Sequence, residues 1–181
     1  MPDRKRSAKR TILLVDDDTA VLESLTRVLV GEDYDVLPAC DGQEALDLAG
    51  CNAVDVVLLD LNMPVKNGWD TFERLSHDHP LVPIIIVTAR PNQLFLARAA
   101  GVGALIEKPL DIPILLQTIK DLLAEPAERR LARLAGKRVD FHYAPAAGPS
   151  KKDRSIEGAL SRPRWGGMRF GRSTEEDDIF Y

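Results

Sequence analysis

Three short aliphatic runs, at residues 12–15, 54–59 and 81–87, constrain most of what this chain can become. A strand shows alternate residues to opposite faces, and these runs are apolar on both, so each reads as a strand covered on both sides. Strands of that kind belong to parallel sheets, which need helical crossovers. The intervening sequence supplies them. Val21, Leu22, Leu25, Val28 and Leu29 recur at helical spacing, and Ile112, Leu115, Leu116, Ile119, Leu122 and Leu123 form a cleaner stripe. Asp41, with Glu44 three residues on, is a capping box for a helix through about residue 49. Helices are also predicted at 69–76 and 92–100, and weaker apolar runs at 34–37 and 102–106 fit edge strands. Five strands alternating with five helices give an α/β fold, a doubly wound five-stranded parallel sheet. Such sheets gather their chemistry beyond the carboxyl ends of the strands.

Charge divides the chain. Residues 11–124 carry seven Lys/Arg against eighteen Asp/Glu, whereas residues 1–10 carry five against one and residues 125–181 twelve against nine. An acidic globule therefore sits between a basic N-terminal arm and a basic C-terminal tail. From residue 125 the order weakens, with six Gly and four Pro. A short helix fits 127–135, with Leu131, Leu134 and Ala135 on a face lined by arginines, and an irregular chain is expected beyond Gly136. The longest apolar stretches, 54–61 and 81–89, fall short of the roughly 18 residues a membrane span needs. The basic start lacks a following hydrophobic segment, so the cytoplasm is the expected location. Cys40 and Cys51 read as free thiols, and His77, His79 and His142 have no cysteines at zinc spacing.

Four strand ends carry the candidate chemistry. The first closes on Asp16-Asp17-Asp18, the third on Asp60 followed by Asn62-Met63-Pro64 and Gly68, the fourth on Thr88, the fifth on Lys108-Pro109. Singly, each has an ordinary explanation: a helix cap, a strand-end acid, a good strand former, a surface lysine. Together at the tips of four strands they do not. Converging Asp16, Asp17 and Asp60 raise a pKa or demand a cation, and carboxylate oxygens favour a hard ion such as Mg²⁺. Lys108 supplies an opposing ammonium and Thr88 a hydroxyl donor, which makes a phosphoryl-transfer site around a carboxylate nucleophile.

On these residues the sequence resembles the receiver domain of two-component response regulators over about residues 11–123. The markers are LLVDDD (13–18), VVLLDLNMPVKNG (56–68), IIIVTA (84–89) and EKP (107–109). The resemblance implies a flavodoxin-like fold and a phosphorylation-dependent switch rather than an enzyme, charged by a histidine kinase or phosphotransfer protein and acting on an unknown downstream protein. It implies Asp60 as phosphate acceptor, Asp16, Asp17 and the Asn62 backbone carbonyl as partners of Mg²⁺, and Thr88 and Lys108 as holders of the phosphoryl oxygens. It also implies a cis Lys108-Pro109 bond, and places Asn62 and Arg90 beside the phosphate. One position departs from the family. Where an aromatic switch residue is usual stands Leu105, so coupling is expected to run through Thr88 and the loops around the phosphate.

Two other readings compete. A haloacid-dehalogenase type phosphatase would use Asp16 as nucleophile and Asp18 as acid, but leaves the Asp60 segment unexplained. A nucleic-acid binder would use the basic arms, with Tyr143, Trp165 and Phe170 stacking on bases, although 125–181 carries no nucleic-acid-binding signature. The domains expected are thus the arm 1–10, a receiver at 11–124 and a tail at 125–181 with no recognised output domain.

Overall fold

The computed structural model describes residues 9–63, 68–90, 92–137 and 140–146. Strands β1 (Thr11–Val15), β2 (Asp35–Ala39), β3 (Val56–Asp60), β4 (Ile84–Thr88), β5 (Ala104–Glu107) and β6 (His142–Ala144) pair in the order β2-β1-β3-β4-β5-β6. Every neighbouring pair is parallel. The helices are α1 (Thr19–Gly31), α2 (Gly42–Cys51), α3 (Gly68–Asp78), α4 (Leu94–Ala99), α5 (Ile112–Ala124) and α6 (Ala127–Leu134).

Strand alternation sorts the aliphatic runs into two cores. Ile12, Leu14, Leu58, Ile85 and Val87 meet Leu22, Leu25 and Leu29 of α1 and Leu115, Ile119 and Leu122 of α5. Leu13, Val15, Leu59, Ile84 and Ile86 meet Ala45 and Ala49 of α2, Phe72 and Leu75 of α3 and Ala97 of α4. Each buried aliphatic side chain contributes about 1.5–3 kcal/mol, which favours a sheet sandwiched on both faces. The capping box at α2 forms with one shift, since Glu44 takes the N–H of the residue before the cap rather than that of Asp41. Asp41 Oδ1 accepts from the N–H groups of Gln43 (2.7 Å) and Glu44 (2.9 Å), and Glu44 reaches back to the N–H of Cys40 (2.8 Å).

The parallel doubly wound sheet agrees with the expectation, but it has six strands rather than five. The 102–106 run is not an edge: β5 lies between β4 and β6, and β2 and β6 are the edges. The extra strand comes from the stretch expected to be irregular, since three residues are too few to display a period. Helix α6 lies where it was expected but turned differently. Leu131 and Leu134 are 47% and 37% exposed, while Arg133 is buried. Both oxygens of Glu125 accept from the Arg133 guanidinium, at 2.7 and 2.6 Å. Arg130 donates to the carbonyl of Leu122 (2.6 Å) and to that of Leu81. The last carbonyls of α5 lack partners within the helix. Arg130 supplies a second donor to that of Leu122, which also accepts from the Glu125 N–H, while Arg133 is drawn to the Glu125 carboxylate. Gly101, at φ +76°, permits this contact, because a Cβ there would lie 2.9 Å from the Arg133 carbonyl oxygen.

Cys40 and Cys51 are exposed free thiols. No helix among the described residues is long and apolar enough to cross a membrane. Residues 1–8 of the basic arm and 147–181, including Trp165 and Phe170, lie outside the described residues.

Candidate functional site

The sheet order reverses between β1 and β3, so the helices that follow these strands diverge and leave a crevice at their carboxyl ends. Asp16 follows β1 and Asp60 ends β3, both only 3% exposed, while Asp17 is exposed to solvent. One carboxylate oxygen from each lies within 4.8 Å of the others. Lys108, just after β5, donates from Nζ to Asp16 Oδ2 at 2.8 Å and to Asp60 Oδ2 at 2.7 Å. The predicted residues thus converge.

Backbone groups fix the remaining oxygens. Asp16 Oδ1 accepts from the Asp18 N–H (3.0 Å), and Asp60 Oδ1 accepts from the Asn62 N–H (2.9 Å). Asp18 itself is spent as the cap of α1, accepting from the N–H groups of Ala20 (2.9 Å) and Val21 (3.4 Å). Behind Asp60, α3 begins on Gly68, where a Cβ would lie 2.7 Å from the Asp60 carbonyl oxygen and 2.6 Å from Leu61 Cα. Only glycine allows that approach.

Thr88, the fully buried last residue of β4, accepts from the Arg90 N–H at 3.0 Å and keeps a hydroxyl proton to donate. Arg90 Nε in turn donates to Asn62 Oδ1 (2.8 Å), pairing the two rim residues that the sequence placed there separately. The Lys108-Pro109 bond is cis, as the resemblance implied.

Three carboxylates face one ammonium. Burial pushes the Asp16 carboxyl up, with the Lys108 hydrogen bond offsetting only part of that. Burial also works against charge on Lys108, but its hydrogen bonds to Asp16 and Asp60 outweigh it and hold the ammonium above its ordinary value. A divalent cation fits this donor set: hard oxygens, two of the three acids buried, and surplus negative charge. Beside Lys108 an open apolar surface runs between α1 and α5, lined by Ala20, Val21, Leu25, Pro109, Leu110 and Ile112.

Leu105 is fully buried between Ile86 and Tyr143, its register partners on β4 and β6. Sequence reasoning missed Glu107. It lies opposite Thr88 in the ladder and accepts from the Tyr143 hydroxyl at 3.0 Å and the Ala146 N–H at 3.2 Å. Only the placement of β6 reveals this contact.

Comparison with known proteins points the same way. Residues 12–120 match the family described as the response regulator receiver domain. The chain is 39% identical over 114 residues to the transcriptional regulatory protein CpxR of Escherichia coli K12, covering 62% of this chain and 48% of CpxR. It is 40% identical over 114 residues to the response regulator MprA of a Mycobacterium species (strain KMS), covering 62% of this chain and 50% of MprA. The chain thus spans about half the length of these curated relatives. Among solved structures, a CheY-like receiver domain protein from Methanospirillum hungatei is similar, with a TM-score of 0.63 and 31% identity over 67% of this chain and 98% of that one. The response regulator TrrA of Thermotoga maritima, solved in complex with Mg²⁺ and BeF, gives a TM-score of 0.59 at 26% identity over 62% of this chain and 98% of that one.

Proposed function

The chain belongs to the response regulator receiver family, and from that premise we propose that it is a phosphorylation-dependent signalling switch whose acceptor is Asp60. The observation that carries this reading is the double hydrogen bond of Lys108 to Asp16 and Asp60 beside exposed Asp17. A buried carboxylate oriented by one ammonium is a positioned nucleophile. One Asp60 oxygen attacks the phosphorus of a phosphohistidine, the phosphorus–nitrogen bond breaks, and the imidazole leaves with the electron pair. Lys108 then follows the transferred oxygens, and the Thr88 hydroxyl turns from its rest position to donate to them. Asp16, Asp17, Asp60 and the Asn62 carbonyl would hold Mg²⁺, which neutralises charge on the transferred group. The Arg90–Asn62 pair borders the phosphate and bears on how water reaches it.

A histidine kinase or phosphotransfer protein is the proposed donor, met on the apolar surface between α1 and α5, and the cytoplasm is the proposed location. The chain takes part in its own phosphorylation and dephosphorylation without being a turnover enzyme. We assign the receiver to 11–124 and output to contact with a downstream protein. Supporting that choice over nucleic acid, Arg130 and Arg133 are committed to carbonyls and to Glu125. Against an Asp16-nucleophile phosphatase, the Asp18 carboxylate is engaged in capping α1.

Acetyl phosphate with Mg²⁺ tests the site. It should yield an acid-stable, base-labile phosphate on Asp60 that EDTA prevents and Asp60→Asn abolishes. Undiminished labelling of Asp60→Asn would refute the assignment.

A further inference from the structure

Residue 107 joins the acidic site to the edge of the sheet. Its backbone precedes Lys108, whose N–H donates to the Thr88 carbonyl at 2.9 Å, so the ends of β4 and β5 move together. Its carboxylate holds both the Tyr143 hydroxyl and the Ala146 N–H. Residues 140–146 are thus a strap along β5, attached by the β6 ladder, by buried Ala144, by half-buried Phe141 and by this carboxylate. Three ladder residues are a short attachment, and a segment with few buried contacts opens at low free energy.

We propose that the strap at 140–146 is a latch on Glu107, released when the acidic site takes up a phosphoryl group. The proposal rests on the reading of Asp60 as acceptor. A phosphoryl group on Asp60 draws Lys108 Nζ and the Thr88 hydroxyl toward new oxygens, and Glu107 adjoins one residue and is in register with the other. The same group adds negative charge at the carboxyl ends of the strands, where Glu107 closes β5. Both effects disturb the geometry on which Tyr143 and Ala146 depend, and neither requires an aromatic residue at position 105. Opening the strap uncovers the edge of β5, a row of backbone donors and acceptors suited to pairing with another chain.

Hydrogen exchange and NMR on the full chain, with and without Mg²⁺ and beryllofluoride, provide the test. The mimic should shift the Thr88 and Lys108 amides and speed exchange at 142–146 by about three- to tenfold, the loss of roughly one hydrogen bond. In Tyr143→Phe, a change of one exposed hydroxyl, exchange there should be fast from the start and change less than about twofold, within the weight of one such bond. Coupling is reciprocal, so that variant should also bind the mimic more tightly. If Thr88 and Lys108 shift while exchange at 142–146 is unchanged, the latch is overturned and the acceptor assignment stands. If neither responds, the acceptor assignment fails and takes the latch with it. Equal mimic affinity in wild type and Tyr143→Phe also overturns the latch.

Discussion

Removing the charge of Asp17 should stabilise the metal-free protein while abolishing its response to Mg²⁺. Asp17 is the exposed member of the acidic trio, and the Lys108 ammonium is engaged by the other two. At the 4.8 Å that bounds the carboxylate oxygens, a like-charge pair repels by about 0.9 kcal/mol at the dielectric constant of water and about 3.5 kcal/mol at an effective value of 20. Exposure places Asp17 near the lower figure, so its two pairs cost about 2 kcal/mol. Attraction to Lys108, acting at longer range, returns less than about 0.9 kcal/mol of this by the same law. Asp17→Asn should therefore be about 1 kcal/mol more stable than wild type in urea unfolding with EDTA. In Mg²⁺ the order should reverse, because wild type gains by mass action and the variant does not. Salt should shrink the EDTA difference, as it does for exposed charges. A less stable Asp17→Asn in EDTA would show that the trio is not under charge repulsion, and the argument for a cation here would fall.

Leu105→Ala should lose about 2–5 kcal/mol, the range for emptying a buried leucine site, yet keep the beryllofluoride-induced shift at Thr88; a folded variant without that shift would make Leu105 the switch. The Tyr143 phenol is held above its ordinary value, chiefly by its hydrogen bond to Glu107. The raised value favours the neutral form, so this contact's contribution is complete below about pH 10 and is lost as pH rises through the folded value. Glu107→Ala should bring the ultraviolet phenol titration back toward the ordinary range, and an unmoved titration refutes the contact. A chain ending at Gly136 should keep its fold and accept phosphate, but be less stable than one ending at Ala146 by about 2–4 kcal/mol, from the ladder and Phe141. Equal stabilities would show that β6 adds nothing, and failure to fold would put the domain boundary beyond β6.

The sheet was legible because burial on both faces leaves an unmistakable mark. Ile84, Ile85, Ile86 and Val87 alternate between two cores, as residues 12–15 and 56–59 do, and a helix with one buried face needs no such run. The site was legible for a related reason. Topology sends the residues after β1, β3, β4 and β5 to one edge of the sheet, so reading where each run ends is enough to gather Asp16, Asp60, Thr88 and Lys108. Contacts among those residues were less accessible. That Arg90 would reach Asn62, or that Asp18 would cap a helix rather than join the trio, depends on side-chain direction, which spacing does not encode.

Past Ala124 the sequence misleads for a physical reason. A helix with three arginines and two outward leucines looks like a solvated appendage, because hydrophobic periodicity treats every charge as surface. Here Arg129 stays outside, but the Arg130 and Arg133 guanidinium groups face inward, because the Leu122 carbonyl and the Glu125 carboxylate accept from them. A buried fork of that kind is costly to break, by about 3–5 kcal/mol when one partner is removed. That fixes where α6 ends, and so where the chain turns back toward β5. Arg133 also donates to the Asp140 carbonyl at 3.5 Å, so the same fork touches the segment that leads into β6. Charge counted in a basic tail thus lies partly inside, next to the segment that sets Tyr143 on Glu107, beside the lysine that holds Asp60.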